Sequence, residues 1–452
     1  MHDQNPLPHK LFNCKCNLIM RKQIPLLTTL LTEVNSKTIS NVSQYIGIEY
    51  NNFMNGHTLK GLKKLGLVCF LLIGVVITTE AQRNIGAGNG VDGDLYSNTQ
   101  TYGDTTRSGF DDWFYGGTDT GQGTIDTLGA SALLTLMQTT NNISFQRSSA
   151  YNLWEVVNGR VNIIAGYARD NIGGFTSDST TFSNGAKNGD DFRTLSRGSG
   201  TAISGPNPSK SDLMDVWTAF KRDGLDVDDT LWLLGAVATL GTNGDKHFDF
   251  EYNQSLTTFD LATGAFLNCG LDAGHTAWTF DNNSNGVPTK VGDVILSCEW
   301  KNSGLNDASL KLWVHDTTFN ANTAQGSFTW GTTFYGPTGG FSYADVVVPS
   351  GVIVEHNYTS TTPISVSPWG AKDKNGDYVA TYSQYQFLDF GINLTEIGVD
   401  PSILLLVDSV TGVPDPCTPL YYTFMAKSRT SNSFTSALVD FTSPITFSSR
   451  IK

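Results

Sequence analysis

The chain has 452 residues, of which 39% are hydrophobic and only 16% are charged, with 46 glycines and 25 phenylalanines. It contains 29 basic and 42 acidic residues; residues 1–81 hold 8 and 4 of these, which leaves 21 and 38 in residues 82–452, a net charge of −17. Such an acidic surface argues against nucleic acid and anionic membranes as partners. Short apolar runs separated by Gly, Ser, Thr and Asn favour an all-β extracellular protein over a helical cytosolic enzyme.

The N-terminal region has the features of a secretory signal peptide. In KGLKKLGLVCFLLIGVVITTEAQ, basic residues precede an apolar run, and Thr79 and Ala81 occupy the small positions of a cleavage site. The apolar run is short compared with the roughly 20 residues that span a bilayer, so a membrane anchor is the less favoured interpretation. We therefore predict a signal peptide at 54–81, an exported chain that starts at Gln82, and residues 1–53 as an unstructured extension upstream of the translation start.

Residues 82–452 are predicted to form a single large module, an antiparallel β-sandwich of the jelly-roll or lectin-like kind. No internal repeat and no convincing linker divides this region into two folds. Apolar and alternating segments that predict strands recur along it. These segments are NISFQRS, RVNIIAGYARD, TLWLLGAVATL, KHFDFEYNQ, GDVILSCEW, LKLWVHD, ADVVVPSGVIVEHNY, YQFLDFGIN, YTFMAKSRT and SFTSALVDF.

Three local patterns give more specific predictions. The segment SKSDLMDVWTAFKR predicts one short helix, because its apolar residues recur at helical spacing and Ser211 is a suitable N-cap. The Asn243-Gly244 pair predicts a β-hairpin that joins TLWLLGAVATL to KHFDFEYNQ. Alternation in SFTSALVDF places one set of residues on the core side. That set is Thr435, Ala437, Val439 and Phe441.

The order of these segments resembles a β-sandwich module of large secreted bacterial surface proteins. The likeness covers roughly Gly90 to Phe441 and rests on SKSDLMDVWTAFKR, DTLWLLGAVATLGTNGDKHFDFEYNQ, GDVILSCEWKNSG, LKLWVHD, FLDFGINLTEIGV, PDPC and KSRTSNSFTSALVDF. In those adhesin-like proteins the module often precedes immunoglobulin-like or PKD-type repeats and an anchoring domain. The resemblance implies a surface module and assigns no catalytic residue. Since no repeat follows Phe447, we expect a stand-alone copy or part of a larger surface protein.

The stretch HFDFEYNQ, residues 247–254, is the most evident candidate site. Alternation along a strand separates it into an aromatic face and a polar face with two carboxylates. The aromatic face comprises Phe248, Phe250 and Tyr252, and the polar face comprises His247, Asp249, Glu251 and Asn253. We expect the aromatic face to be buried and Asp249 and Glu251 to face solvent. Neutralising both exposed carboxylates would then cost under about 1 kcal/mol.

A catalytic interpretation of Asp249 and Glu251 depends on a partial match to glycosidases. The stretch is similar to the E-x-D-x-x-E strand of concanavalin-like glycosidases, but His247 stands at the first position and Gln254 ends the pattern. Carboxylates two residues apart on a strand lie about 7 Å apart at the backbone, a spacing that does not exclude hydrolysis. Because the pattern is incomplete, we predict that the chain has no catalytic residue.

Two sets of residues offer oxygen ligands for Ca²⁺. The first set is Asp249, Glu251 and Asn253, and the second is Asp373, Asn375 and Asp377 in the motif DKNGD. In this motif the glycine stands at the fourth position of the loop instead of the sixth, and no bidentate glutamate follows at the twelfth. The Asn-Gly pair is more simply a hairpin turn. We therefore predict no cofactor, with a calcium site as the alternative.

Cysteines and aromatic residues leave further alternatives open. Cys269, Cys298 and Cys417 form an odd set, so at least one thiol is left over. Cys298 lies on the apolar face of GDVILSCEW and is expected to be buried, with a disulfide to Cys269 as the alternative. A further group of aromatic residues offers core packing, which is favoured, or a sugar-stacking platform. This group is Trp113, Phe114, Tyr115, Trp330 and Phe334.

Together these patterns predict a secreted or cell-surface, non-catalytic β-sandwich module of a bacterial envelope or adhesin-like protein. The alternative is a carbohydrate-binding lectin-like domain, and a glycoside hydrolase is less favoured. An extracellular surface or a glycan is the expected partner, and no membrane span is predicted in the exported chain. G-x-S-x-G, P-loop and dinucleotide motifs are absent from the sequence, so nucleophilic hydrolase and nucleotide chemistry have no support.

Overall fold

The structure is a computed structural model that describes most of the chain between Gly90 and Phe447. The described residues are 90–97, 100–102, 105–107, 111–117, 123–125, 127, 130–140, 148–149, 155–157, 160–170, 180–183, 185–196, 210–222, 229–280, 288–301, 304–320, 330–337, 339–347, 352–357, 364–373, 375, 377–398 and 421–447. The predicted signal peptide at 54–81, the extension at 1–53 and Cys417 lie outside the described residues.

Strands dominate the described residues. In chain order the first elements are β1 (Tyr96–Ser97), β2 (Gln100–Tyr102), β3 (Thr105–Arg107), β4 (Phe114–Tyr115), helix α1 (Ala130–Thr140), β5 (Ser148–Ser149), β6 (Glu155–Val157), β7 (Arg160–Arg169), β8 (Leu213–Arg222), β9 (Leu231–Thr239), β10 (Lys246–Asn253), β11 (Thr258–Asp260), β12 (Ala265–Leu267), β13 (Thr279–Phe280) and β14 (Pro288–Lys290). They are followed by β15 (Val294–Lys301), β16 (Gly304–His315), α2 (Asp316–Asn320), β17 (Trp330–Phe334), β18 (Phe341–Val346), β19 (Val352–His356), β20 (Ile364–Ser365), β21 (Ala371–Lys372), β22 (Tyr378–Val379), β23 (Thr381–Tyr382), β24 (Phe387–Asn393), α3 (Leu394–Ile397), β25 (Thr423–Arg429), β26 (Leu438–Phe441) and β27 (Ile445–Thr446).

Two large antiparallel sheets organise these strands. Sheet A has the order β17-β18-β16-β15-β10-β25-β26, with β27 also paired to β25. Sheet B has the order β19-β24-β9-β8-β7-β5, with β6 also paired to β7. The remaining strands form two-stranded pairs around them. The prediction of an all-β, antiparallel fold with few helices is confirmed.

The main hydrophobic core lies between sheet A and sheet B. Phe250 of β10 packs edge-to-face on Phe390 of β24, with ring centroids 4.6 Å apart. The hydroxyls of Tyr252 in sheet A and Thr218 in sheet B lie 2.9 Å apart, within hydrogen-bonding distance. Phe248, Phe250 and Tyr252 are all fully buried. The predicted burial of the aromatic face of HFDFEYNQ is therefore confirmed.

The outer face of sheet B is covered by two segments, one around Phe114 and one around Trp369. Tyr167 of β7 stacks on Trp369 with ring centroids 4.8 Å apart, and Phe114 packs edge-on against the same indole at 5.5 Å. Lys221 of β8 lies 2.6 Å from the Asp111 carboxylate, and both side chains are buried. These contacts hold the segment 111–117 against the sheet.

Loops cover the outer face of sheet A as well. Phe182, Phe192 and Phe266 form an apolar cluster over one part of it, and Phe434 packs against Tyr343 of β18 over another. All eight residues of β10 are consequently buried, on both faces of the strand.

The predicted helix at SKSDLMDVWTAFKR is wrong, because residues 213–222 form strand β8 in the middle of sheet B. Val216 and Phe220 point into the core between the sheets, and Trp217 and Ala219 point into the outer cluster. A strand that is buried on both faces needs apolar residues on both, so its pattern no longer shows the alternation of a half-buried strand. The α-helices of the described residues are instead α1, α2 and α3, and a short 3-10 helix spans Phe192–Thr194.

The predicted hairpin between β9 and β10 is also wrong. The chain does turn at Gly244, whose φ is +81°, but β9 belongs to sheet B and β10 to sheet A. Both edges of β9 are taken by β8 and β24, and both edges of β10 by β15 and β25. The Asn-Gly turn therefore carries the chain from one sheet to the other.

The other strand predictions agree with the structure to different extents. RVNIIAGYARD, YQFLDFGIN and YTFMAKSRT contain β7, β24 and β25, respectively. GDVILSCEW covers all of β15 except Lys301, and LKLWVHD covers only the second half of β16, which already begins at Gly304. ADVVVPSGVIVEHNY divides into β18 and β19, which lie in different sheets. SFTSALVDF is a strand only from Leu438 to Phe441. Leu438 and Phe441, predicted on opposite faces, lie in the same apolar cluster, and Thr435 is exposed, so the predicted core set is wrong.

Candidate functional site

The two carboxylates of HFDFEYNQ lie on the outer face of β10, as the alternation predicts, but the prediction that they face solvent is wrong. Asp249 and Glu251 are 0% exposed. Asp249 pairs across the strands with Lys427 of β25, and Arg429 follows two residues later on the same face. Two acids on one strand thus meet two bases on its neighbour, and we call these four residues and His275 the polar cluster.

Glu251 is surrounded by donors from three separate elements. Lys427 Nζ lies 2.7 Å from its Oε2 atom, and both side chains are 0% exposed. On the other oxygen, His275 Nε2 lies 3.0 Å from Oε1, and the Tyr343 hydroxyl donates a hydrogen bond to the same atom. Glu251 therefore joins β10 to β25, β18 and the loop that carries His275.

Asp249 has a matching arrangement. Arg429 Nε lies 2.8 Å from its Oδ2 atom, and the Asn188 amide donates a hydrogen bond of 2.7 Å to the same oxygen. The guanidinium of Arg429 also donates to Ser297 Oγ of β15 at 2.7 Å and to the carbonyl oxygen of Ser431 at 3.1 Å. Arg429 of β25 therefore connects β10 and β15 at the Asp249 end of the polar cluster.

Aromatic side chains cover the polar cluster on the outer face of sheet A. The His275 ring stacks on Trp313 with centroids 4.0 Å apart and meets the edge of Phe192 at 5.0 Å. The guanidinium carbon of Arg429 lies 5.9 Å from the ring centroid of Phe434. Like both carboxylates, His275 is 0% exposed. The cluster is therefore a closed, desolvated network in which the bases balance the charges of the acids.

The charge state of Glu251 follows from these contacts. Burial acts to raise its pKa, but the charge of Lys427 and the hydrogen bond with His275 outweigh burial and lower the pKa to about 2. Glu251 is therefore ionised at neutral pH. A general acid of a glycosidase needs the opposite, a raised pKa.

This lowered pKa predicts a pH dependence of stability. In the unfolded chain Glu251 regains an ordinary pKa near 4.5, so between about pH 2 and pH 4.5 the unfolded state binds more protons than the folded state. We expect the stability advantage of wild type over Glu251→Gln to be full above about pH 4.5 and to vanish as the pH falls through about 2. Urea unfolding of both proteins from pH 2 to pH 7 measures this difference. Phe250→Ala serves as a control whose deficit should not change with this titration, and a pH-independent deficit for Glu251→Gln would contradict the assignment.

The first candidate calcium set lies in and beside the polar cluster. The carboxylates of Asp249 and Glu251 face Arg429 and Lys427, and Asn253 is 1% exposed at the end of β10. Basic side chains therefore occupy the positions next to these oxygens where a cation would bind.

The second candidate set, Asp373, Asn375 and Asp377, lies in the connection between β21 and β22, which pair antiparallel. Asp373 Oδ1 accepts hydrogen bonds from the backbone N–H groups of Asn375 at 2.8 Å and Asp377 at 3.0 Å. These bonds stabilise a tight turn. The interpretation of DKNGD as a hairpin turn agrees with this geometry.

The aromatic residues considered for a sugar platform do not share one surface. Trp113, Phe114 and Trp330 are buried, and Phe334 stacks on Phe319 beside the main core. Tyr115 is the exception, with 56% of its surface exposed. Core packing, the favoured interpretation, is confirmed for the three buried residues.

The two described cysteines agree with a buried Cys298 thiol and not with a Cys269–Cys298 disulfide. Cys298 is 0% exposed and belongs to the main core, as predicted. Cys269 is a free thiol at an intermediate exposure, so the alternative disulfide between the two is absent. Burial raises the pKa of Cys269 to about 11, which makes this thiol a poor nucleophile at neutral pH.

Comparison with known proteins reveals no relative. No family model, no curated protein and no solved structure matches the chain. The resemblance to modules of secreted bacterial surface proteins therefore stays a prediction. Within the described ranges, none of the helices has the length and apolar character needed to cross a bilayer.

Two features of the structure escaped the sequence analysis. Lys427 and Arg429 alternate in β25 just as Asp249 and Glu251 do in β10, and this complementary spacing was a signal that the two strands are neighbours. The second feature is an acidic group in which Asp92 and Asp94, two residues apart, lie close in space to Asp112, which is 18 residues further along the chain than Asp94. No single short motif contains all three, so only the fold brings them together.

Proposed function

We propose that this chain is a secreted, non-catalytic β-sandwich module that adheres to an extracellular surface through exposed leucines. The observation that carries this proposal is the position of these leucines. Leu256, Leu261, Leu267 and Leu271 are 50%, 44%, 46% and 90% exposed, and they fall within one stretch of chain around β11 and β12. Large apolar side chains that are exposed together are typical of sites of protein contact.

The β11–β12 hairpin, which lies among these leucines in the chain, is well packed. Phe259 and Phe266 of the β11–β12 hairpin face each other in the strand pairing, with ring centroids 5.1 Å apart. Both rings also pack on Phe441 of β26, at 4.9 and 5.2 Å. The hairpin is thereby fixed to sheet A, while Leu267 stays exposed. A fixed hairpin loses little conformational entropy when its exposed side chains bind a partner.

The absence of a catalytic role is supported by the polar cluster. Asp249 and Glu251 were the carboxylate pair with the strongest sequence case for hydrolysis, and both are buried in ion pairs. Their contacts explain them as stabilising groups of sheet A.

The proposal is tested with a variant in which the four leucines are replaced by serine. We expect its retention on intact bacterial cells and on immobilised extracellular matrix proteins to fall at least tenfold, with the melting temperature nearly unchanged because exposed side chains contribute little to stability. The matched control replaces Tyr115 and Val347, which are 56% and 46% exposed elsewhere on the protein, by serine.

Two outcomes of the same assays would favour the alternatives. Binding to a glycan array that is lost in the Tyr115 control and kept in the leucine variant would favour a lectin-like domain. Release of reducing sugar from a polysaccharide by the wild type would favour a glycoside hydrolase. Equal retention of the leucine variant and the wild type would overturn the proposal.

A further inference from the structure

A second group of carboxylates lies on the outer face of sheet B, away from the polar cluster. Asp92, Asp94 and Asp112 each place one carboxylate oxygen within 4.8 Å of the others. Asp389 of β24 lies beside them, and its Oδ2 atom accepts a hydrogen bond of 3.2 Å from the backbone N–H of Asp92. Four acidic side chains thus meet where the N-terminal part of the described chain packs on sheet B.

Asp112 is the member of this group whose carboxylate has an oxygen without a hydrogen-bond donor among the described residues. It is 3% exposed, and its Oδ1 atom accepts a hydrogen bond of 2.6 Å from the backbone N–H of Trp113. Its Oδ2 atom is buried and has no hydrogen-bond donor among the described residues. A buried carboxylate oxygen without a donor is costly unless a proton or a cation compensates it.

The surroundings of Asp112 differ from those of its neighbour. Asp111 lies 2.6 Å from the ammonium group of Lys221. The charged groups that act on Asp112 are instead the carboxylates of Asp92, Asp94 and Asp389. The site is therefore rich in negative charge and oxygen ligands.

We propose that Asp92, Asp94 and Asp112 bind a Ca²⁺ ion, with Asp389 adding a fourth negative charge next to the site. Ligands about 2.4 Å from one ion lie at most about 4.8 Å apart, which is the limit that these oxygens satisfy. The group contains neither histidine nor cysteine, and carboxylate oxygens suit calcium or magnesium better than zinc. Calcium accepts irregular oxygen cages, whereas magnesium requires near-octahedral geometry and keeps its water.

A cation at this position connects parts of the fold that are distant in sequence. Asp92 and Asp94 precede β1, Asp112 precedes β4, and β1 and β4 pair in parallel. Asp389 belongs to β24, which pairs with β19 and β9 in sheet B. The ion therefore joins the segment before β1 to the segment before β4, and the hydrogen bond from Asp92 to Asp389 places them against sheet B. This role is independent of the adhesive surface proposed above.

The direct test uses the purified full chain after treatment with EDTA. We expect Ca²⁺ to raise the melting temperature by about 4 °C at saturation, since binding to the folded state alone stabilises it. Mg²⁺ at the same concentration should have a much smaller effect. Tb³⁺, a calcium substitute, should show luminescence on excitation of tryptophan, because Trp113 adjoins Asp112, and Ca²⁺ should displace it.

Variants separate a bound ion from a merely acidic patch. Asp112→Asn should lose the calcium shift and the Tb³⁺ signal, yet melt no lower than the wild type in EDTA, because the amide removes a buried charge. If Asp112→Asn does not fold, Asp94→Asn, at a less buried position, takes its place. Asp377→Asn, an exposed acid of the DKNGD turn, is the matched control and should keep both responses.

The result that overturns the proposal is a wild type whose melting temperature and Tb³⁺ luminescence do not respond to either ion. A calcium response that survives in Asp112→Asn and Asp94→Asn, or that disappears in Asp377→Asn, would also overturn it, because the ion would then bind elsewhere.

Discussion

Glu251→Gln is expected to lower the free energy of unfolding by about 3 to 5 kcal/mol near neutral pH. The substitution keeps the shape of the side chain but removes its charge, and the ammonium group of Lys427, 2.7 Å away and fully buried, loses its counter-ion. An uncompensated buried charge costs far more than the loss of an exposed ion pair. Urea unfolding at pH 7 measures the difference.

Two controls show whether this loss comes from the buried pair. Asp377→Asn removes an exposed acid and should change stability by less than about 0.5 kcal/mol. The double variant Glu251→Gln with Lys427→Met should cost less than the sum of its single substitutions, because the second change removes the charge that the first leaves unpaired. A loss below about 1 kcal/mol for Glu251→Gln would mean that solvent reaches the carboxylate.

Phe250→Ala is expected to cost a similar amount, about 3 to 5 kcal/mol, for a different reason. Phe250 is 0% exposed and packs on Phe390 across the two sheets and on Phe424 of the neighbouring strand, with centroids at 4.6 and 6.3 Å. Removing the ring leaves a cavity in the main core, where the surrounding side chains relax only in part. Thermal or urea unfolding measures the loss.

Its matched control is Tyr115→Ala, which removes an aromatic ring that is 56% exposed. This change should stay within about 0.5 kcal/mol of wild type. If Phe250→Ala proves equally mild, Phe250 does not belong to the core between the sheets.

The strand content was predictable from the sequence because alternation is a local property. For β10 the pattern identifies both faces, and Phe248, Phe250 and Tyr252 are buried as it predicts. The same pattern does not tell whether the opposite face meets water or another layer of protein. Loops that contain Phe192 and Phe434 cover that face, and this tertiary fact turned an expected surface pair into a buried one.

The two topological errors have a related cause. Leu213, Val216 and Phe220 match a helical stripe, but β8 has apolar neighbours on both faces, so a helical and a fully buried strand pattern cannot be separated locally. At Gly244 the sequence predicts a turn, and a turn is present. Which sheet receives the next strand depends on the partners of β9 and β10, which are distant in sequence.

The candidate sites were only partly predictable for the same reason. The DKNGD turn is local, and its hydrogen bonds agree with the interpretation as a hairpin turn. The acidic group around Asp112 draws on residues from two segments and from β24, so no spacing rule within one motif identifies it.

The position of β25 within sheet A has a consequence for the kinetics of folding. This late strand pairs with β10 near the middle of the sheet, and β11 to β24 lie between them in the chain. Pairings between distant segments form slowly, so β10 is expected to present an open edge during synthesis, before β25 is available. At that stage Asp249 and Glu251 are hydrated, and charges beside an open edge hinder pairing with other chains. We therefore expect the carboxylates that form ion pairs in the folded sheet to reduce aggregation before β25 pairs with β10.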